Sequence, residues 1–252
     1  MNENEKKIWI TGASSGIGKA LAIKFANQGW KVAASARREN LLNDLSKTNS
    51  NIFPFPLDVK DEKITQNVFK NIVKKFKSLD ICVFCTGIHD PESEKELSSE
   101  KIREIMETNF FGTLNCIMGV NSFFRNKKSG HIAIVSSVAG YRGLPAASGY
   151  CASKAALTSL AESLYFDFKR KNVKVSLISP GFIKTPMTDK NTFPMPMIKS
   201  PEYAAEKIFI GLTKKNSFEI HFPKSFTIFL KLLRIMPNWL FFWLVERGVK
   251  RF

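Results

Sequence analysis

Tyr150 and Lys154 lie four positions apart in Tyr150-Cys151-Ala152-Ser153-Lys154, a spacing that puts both side chains on one face of a helix. A free phenol titrates near 10, too high to exchange protons readily at neutral pH. An adjacent ammonium favours the phenolate and lowers that value, so Tyr150 beside Lys154 becomes a usable general acid and base. Ser137 stands thirteen positions before Tyr150, at the end of an apolar run, where its hydroxyl can hydrogen-bond a substrate oxygen and orient the reacting carbon. Taken alone, a tyrosine and a lysine at this spacing are common and usually structural. A second signal lies near the start of the chain, in Thr11-Gly12-Ala13-Ser14-Ser15-Gly16-Ile17-Gly18. Glycines there permit a tight turn and close backbone approach to a pyrophosphate. A following helix offers free N–H groups and partial positive charge to the phosphates.

These residues need a scaffold, and the hydrophobic pattern supplies one. Strand-like apolar runs fall at 8–11, 31–36, 52–56, 79–85, 131–136, 173–179 and 217–222. Helix-like stretches at 16–28, 39–46, 61–76, 99–124, 149–171 and 201–214 alternate with them. Runs rich in Val and Ile, apolar on both faces and separated by helices, indicate βαβ units and a parallel sheet. Right-handed crossovers then give an α/β Rossmann-type, doubly wound sheet of about seven strands. No linker marks a second domain. Residues 1–222 read as one catalytic domain with a loop at 185–200, and 223–252 as an apolar, basic helical tail belonging to the same domain.

The glycine spacing T-G-x-x-x-G-x-G, the Tyr150/Lys154 pair with Ser137, and Pro180-Gly181-Phe182-Ile183-Lys184-Thr185 after the sixth strand resemble the short-chain dehydrogenase/reductase family in its shorter form. The order of these motifs matches the family from Thr11 to Thr185. The resemblance implies hydride transfer between a nicotinamide and a carbonyl or alcohol, with Ser137, Tyr150 and Lys154 catalytic. It further implies that Asn109 helps hold a water linking Lys154 to solvent. Gly12, Ser14, Ser15, Gly16, Ile17 and Gly18 would cradle the cofactor, Asp58 and Val59 would meet its adenine, and Lys154 its ribose. Gly87, Pro180, Gly181, Ile183 and Thr185 would line the nicotinamide half. Where the family has Asn-Asn-Ala-Gly, this chain has Phe84-Cys85-Thr86-Gly87, which keeps only the glycine. Asp58 also reads as a helix cap. Cofactor choice is read after the second strand. An acid there selects NAD and an arginine suits the 2′-phosphate of NADP. The chain has Ala36-Arg37-Arg38, which favours NADP(H) over NAD(H), with Arg37 as the phosphate ligand and Ser14 its neutral partner. The alternative function is a non-catalytic NADP(H)-binding regulator on the same fold. The family default is a homo-oligomer, dimer or tetramer.

The net charge is +16. Its sources range from a solvated basic surface to affinity for an anionic cofactor, an acidic carrier protein or an anionic membrane. Scattered lysines without an aromatic-basic module speak against nucleic acid, and the polar 1–7 segment against a signal peptide, so a cytoplasmic location is expected. Cys82 and Cys85, three apart on a strand, point to opposite faces and read with Cys116 and Cys151 as buried thiols, with no metal site. His89, His131 and His221 read as isolated structural or exposed residues. Met187, Phe193, Met195, Met197 and Ile198 make the 185–200 loop apolar, either as a wall for a hydrophobic substrate or as a loop folded onto its own protein. In the tail, Thr227, Lys231, Arg234 and Asn238 form a polar stripe among apolar residues that include Phe226, Phe229, Leu230, Leu233 and Met236. Trp239, Phe241, Phe242 and Trp243 follow, then Arg247, Lys250 and Arg251. Peripheral contact with a membrane, a subunit interface and a cap over the substrate site are all open for it.

Overall fold

The computed structural model describes residues 5–91 and 96–249. Its frame is a sheet of seven parallel strands: β1 (Lys7–Thr11), β2 (Lys31–Ser35), β3 (Ile52–Pro54), β4 (Ile81–Phe84), β5 (His131–Val135), β6 (Lys174–Pro180) and β7 (Glu219–Phe222). They lie in the order β3-β2-β1-β4-β5-β6-β7. The chain winds outward from β1 in one direction and then, from β4, in the other. The reversal leaves a crevice at the carboxyl ends of β1 and β4, where open parallel sheets bind ligands. The Rossmann-like α/β fold expected from the sequence is present.

Period-two alternation divides the core between the two faces. Ile8 and Ile10 of β1 pack with Leu21 and Phe25 of α1 (Gly16–Asn27) and Ile208 of α7 (Pro201–Ile210). Trp9 turns the other way, among Phe69 of α3 (Glu62–Phe76), Val120 of α5 (Gly112–Lys127) and Leu157 of α6 (Ser148–Lys169). Its indole donates to the Ser35 hydroxyl at 2.9 Å, satisfying a polar atom in the dry interior. The shorter α2 (Glu39–Lys47) covers β3 with Leu42 and Leu45. Cys82 joins the second cluster while Cys85 packs against the first, as their spacing requires.

The stretch expected as one helix at 99–124 is α4 (Ser99–Met106), a π-helical turn (Glu107–Phe111) and then α5. The extra residue in the π turn rotates Asn109 into the interior, where it is fully buried. The tail differs too. It is two helices, α8 (Lys224–Ile235) and α9 (Asn238–Val249), because Pro237 forces Met236 into extended backbone. Lys250 and Arg251 lie outside the described residues.

Helix starts follow the capping rules. The Asp61 carboxylate accepts from the Ile64 N–H at 2.8 Å at the head of α3, and the Ser200 hydroxyl accepts from Tyr203 N–H at the head of α7. Replacing Asp61 by Ala removes one acceptor for an orphan donor and is expected to lower stability by about 1 kcal/mol. Urea unfolding would show this as a lower midpoint at constant slope, and an unchanged midpoint would mean that the cap contributes nothing.

Candidate active site

The glycine turn explains its own sequence. Gly12 has φ +69°, and a Cβ there would lie 2.9 Å from the Cys85 carbonyl oxygen. A Cβ on Gly18 would lie 2.3 Å from the Gly12 oxygen. No side chain fits at either place, so the turn folds tightly and brings the N-terminus of α1 to the carboxyl edge of the sheet. Ser15 caps that helix without filling its N-terminus, and no acidic residue occupies the first turn. The helix end is thus left to meet an anion from outside.

A cleft of about 240 Å3 runs along this edge. From the glycine turn it is lined by Gly12, Ser14, Ser15, Gly16, Ile17 and Gly18, and from the end of β2 by Arg37 and Arg38. Asp58 and Val59 border it after β3, Gly87 after β4, and Ser137 after β5. Tyr150 and Lys154 of α6 and Pro180, Gly181, Ile183 and Thr185 after β6 complete it. The catalytic and cofactor residues expected from the sequence therefore converge on one cavity, Asn109 excepted, while of the apolar loop residues only Met187 borders it. Asn109 sits behind the wall: its Oδ1 accepts from Ile88 N–H at 2.7 Å, and its amide donates to Ile88 oxygen and the Ser153 hydroxyl, both at 3.0 Å.

The arginine assignment changes in detail. Ser14 partners Arg38, not Arg37. The Arg38 guanidinium donates to the Ser14 and Ser15 hydroxyls at 2.9 and 3.0 Å, because Arg38 is the N-cap residue of α2 and its backbone aims it across the turn. Arg37 lines the same cavity from an exposed position. Asp58 is freed from capping by Asp61. It accepts from Lys60 N–H at 3.1 Å and keeps its carboxylate on the cleft.

The two adjacent serines both border the cleft but differ in burial and bonding. Ser136 is buried and donates to the Lys154 carbonyl at 2.8 Å. Ser137 faces the cleft and accepts from Ala139 N–H at 3.1 Å through its side chain. A Cβ on Gly140 would come within 2.7 Å of the Lys154 oxygen, so the short turn after Ser137 lies directly on the backbone of α6. The Lys154 ammonium donates to Val135 oxygen at 3.0 Å and stands 5.6 Å from the Tyr150 ring centre. Its site is almost fully buried, and desolvation brings its pKa down to about 8.

His89 was not visible as a site residue in the sequence. It is not isolated: its ring stacks on Tyr150 with centroids 4.3 Å apart. Its place two positions beyond Gly87 was the available signal. Leu57, Thr86, Ile88, Thr108 and Thr188 also line the cleft without having been singled out. His131 is structural, held at 2.8 Å from the Ser176 hydroxyl and kept neutral by burial, with its pKa down at about 4.

The family model for short chain dehydrogenases matches residues 6–215. The chain belongs to that family. An uncharacterized oxidoreductase of Myxococcus xanthus is 33% identical over 236 residues, covering 92% of this chain and 93% of the relative. A 3-oxoacyl-acyl-carrier-protein reductase FabG of Thermotoga maritima is 29% identical, covering 83% and 91%. Among solved structures, ElxO with NADP bound superposes with a TM-score of 0.76 at 27% identity, covering 86% of this chain and 97% of that one.

In this short chain dehydrogenase the cleft thiol is Cys85, whose pKa burial raises to about 11. It remains a neutral, unreactive wall. Lys154 carries a cost that can be measured. The unfolded chain holds the lysine proton to about pH 10.4, and the folded chain releases it near 8. Below pH 8 both states are protonated and burial of the ammonium destabilises the fold. Between these values the unfolded state binds more protons, so stability recovers as pH rises. Lys154→Met, free of cofactor, is therefore expected to melt a few degrees higher than the parent at pH 7, with the gap closing toward pH 10. A variant that melts lower at pH 7 would show that the bond to Val135 outweighs the buried charge.

Proposed function

We propose that this protein is an NADP(H)-dependent oxidoreductase that exchanges a hydride between the nicotinamide and a carbonyl or alcohol carbon of an apolar substrate. The observation that carries the reading is the convergence of Ser137, Tyr150 and Lys154 on the cleft whose other end holds the glycine turn and Arg38. ElxO supports the choice of cofactor, being a relative of the same fold with NADP bound.

The glycine turn fits a dinucleotide, since Gly12, Gly16 and Gly18 present bare backbone on the cleft beside the head of α1. The turn and the head of α1 would hold the pyrophosphate. Arg38, with Arg37 beside it, would hold a 2′-phosphate as a charge-assisted fork. Asp58 and Val59 would meet the adenine, while Gly87, Pro180, Gly181, Ile183 and Thr185 would border the nicotinamide end. When bound, the cofactor supplies or receives the hydride. Ser137 donates a hydrogen bond to the substrate oxygen and fixes the carbon. Tyr150 gives that oxygen its proton in reduction and takes it back in oxidation. The Lys154 ammonium stabilises the phenolate left behind and binds the ribose hydroxyls. Asn109 acts indirectly, by holding the Ile88 loop and, through it, the wall beside Lys154. The apolar loop at 185–200 would supply the substrate wall.

The test is oxidation of NADPH across ketones and aldehydes of increasing chain length. Tyr150→Phe is expected to bind NADPH about as tightly as the parent and to lose roughly 10²–10⁴-fold in kcat. Retention of most turnover would remove Tyr150 from the proton step, and binding without turnover in the parent would favour the regulator.

Arg38→Ala should weaken NADPH by roughly tenfold or more and leave NADH nearly unchanged. Arg37→Ala should have the smaller effect. Equal losses with both cofactors would overturn the 2′-phosphate assignment.

A further inference from the structure

Helices α8 and α9 leave most of their largest apolar side chains outside. An amphipathic helix on a globular protein normally turns its apolar face inward, but here Thr227 and Lys231 turn toward the body while several large apolar residues stay exposed beside Arg234. Thr227 is fully buried, with its hydroxyl 2.6 Å from His221 Nδ1. Lys231 pairs with Glu219 at the start of β7, and the same carboxylate accepts from Tyr141. Arg142 donates to the Leu233 and Met236 carbonyls and to Asn238 Oδ1, closing the end of α8, and its guanidinium stacks 4.0 Å from the centre of Phe241. These contacts fix the orientation of α8 and the start of α9. Hydrophobic residues of both helices are left in solvent: Ile235 is 80% exposed, Trp239 72% and Phe242 57%, with Phe229, Leu232 and Trp243 beside them. A contiguous apolar patch of this kind marks a docking surface.

We infer that this face docks the protein on an anionic lipid bilayer. Charge selects the occupant. Between residues 224 and 247 there are four basic side chains, Lys224, Lys231, Arg234 and Arg247, against one carboxylate, Glu246. Only Lys231 is neutralised by the body, and the whole chain carries +16. A second copy seated on the same face would gather a second set of Lys224, Arg234 and Arg247 into one interface with only Glu246 of each copy to offset them, whereas an anionic surface complements them. The side chains suit the interface as well. Trp239 and Trp243 are both exposed, and Arg247 stacks 4.0 Å from the ring centre of Trp243, an arrangement of an aromatic body with a wet, charged edge. No described helix is long and apolar enough to cross a membrane, so the two helices lie in the plane of the interface. The docked face adjoins the cleft: Phe226 of α8 would lie 3.0 Å from a Cβ on Gly181, and Phe182 stacks between Phe226 and Phe193 of the 185–200 loop.

The test uses the full chain with phosphatidylcholine vesicles containing roughly a third phosphatidylglycerol, and with phosphatidylcholine alone, at low and high salt. The expected result is co-sedimentation with the anionic vesicles that weakens with salt, accompanied by a blue shift of tryptophan emission. Trp9 and Trp30 are already buried, so that shift reports Trp239 and Trp243. The Ile235→Ser, Trp239→Ser, Phe242→Ser triple variant keeps every charge and should lose binding by on the order of tenfold or more, with its melting temperature unchanged or raised. Equal pelleting of parent and triple variant would mean adsorption of a basic protein through its general charge, and would overturn the proposal. Failure of the parent to bind anionic vesicles at low salt would also overturn it. So would a dimer in sedimentation velocity that the triple variant abolishes while neither form binds vesicles, since the face would then belong to a second copy.

Discussion

The carboxyl edge of the sheet is organised around one buried ammonium. Lys154 sits at the inner end of the cleft with a single described protein acceptor, the Val135 carbonyl at the end of β5. Holding a cation there is costly, and several neighbouring features make sense as conditions for it. Ser136 and Thr158 fasten to the Lys154 backbone from either side. Gly140 has no side chain because the Lys154 carbonyl lies where one would go. Gly87 borders the same ammonium: a Cβ there would make ordinary contact, 3.4 Å from both Lys154 Nζ and Asn109 Oδ1. The residues that bring Ser137 and Tyr150 together are thus the same ones that keep the charge in place. The proton chemistry proposed for this site and the local instability of the site have one origin.

A second constraint operates at the opposite margin of the sheet. Glu219 ends up half-buried at the start of β7, where its carboxylate is drawn to low pKa by Lys231 and Tyr141 against the pull of desolvation. Satisfying that carboxylate means bringing Lys231 inward. On a helix with 3.6 residues per turn, turning Lys231 inward brings Thr227 with it. Ile228, Leu232 and Ile235 lie roughly 40–100° round the helix axis from Lys231, and they stay exposed beside the polar contacts that anchor α8.

Much of this was legible in the sequence because the signals are local. The glycine spacing, the Tyr150/Lys154 interval and the alternation of apolar runs each depend on a few neighbouring residues, and the sheet and the cleft are where they indicated. What escaped depends on direction. Ser14 has two arginines within reach in the sequence, and only the exit angle of α2 decides for Arg38. His89 carries no pattern of its own and joins the site because the loop after β4 folds over Tyr150. The π turn at Asn109 is a one-residue slip in a pattern otherwise readable as one helix. The tail shows the same limit most clearly. Its two faces were recognisable from periodicity, but periodicity does not say which face looks inward, and that was set by Glu219, His221 and Arg142, all distant from the stripe itself or outside the tail.

The two ends of the cleft consequently differ in what constrains them. At the glycine turn, backbone approaches backbone at distances no substituent tolerates, so composition there is nearly dictated by geometry. Beyond Pro180 the lining includes Met187, and behind it Phe182 meets Phe193 and Phe226 through ring surfaces that can repack around different shapes. A fold built this way can keep one cofactor end while its substrate end changes. Helix α8 is joined to that adaptable end by the close approach of Phe226 to Gly181, so whatever covers the outer face of α8 is only one helix thickness from the cleft. A shift of α8 would be felt first at Gly181 and Phe182, not at Lys154, which is held by Val135 and Ser136 at the end of β5 and by Thr158 of its own helix.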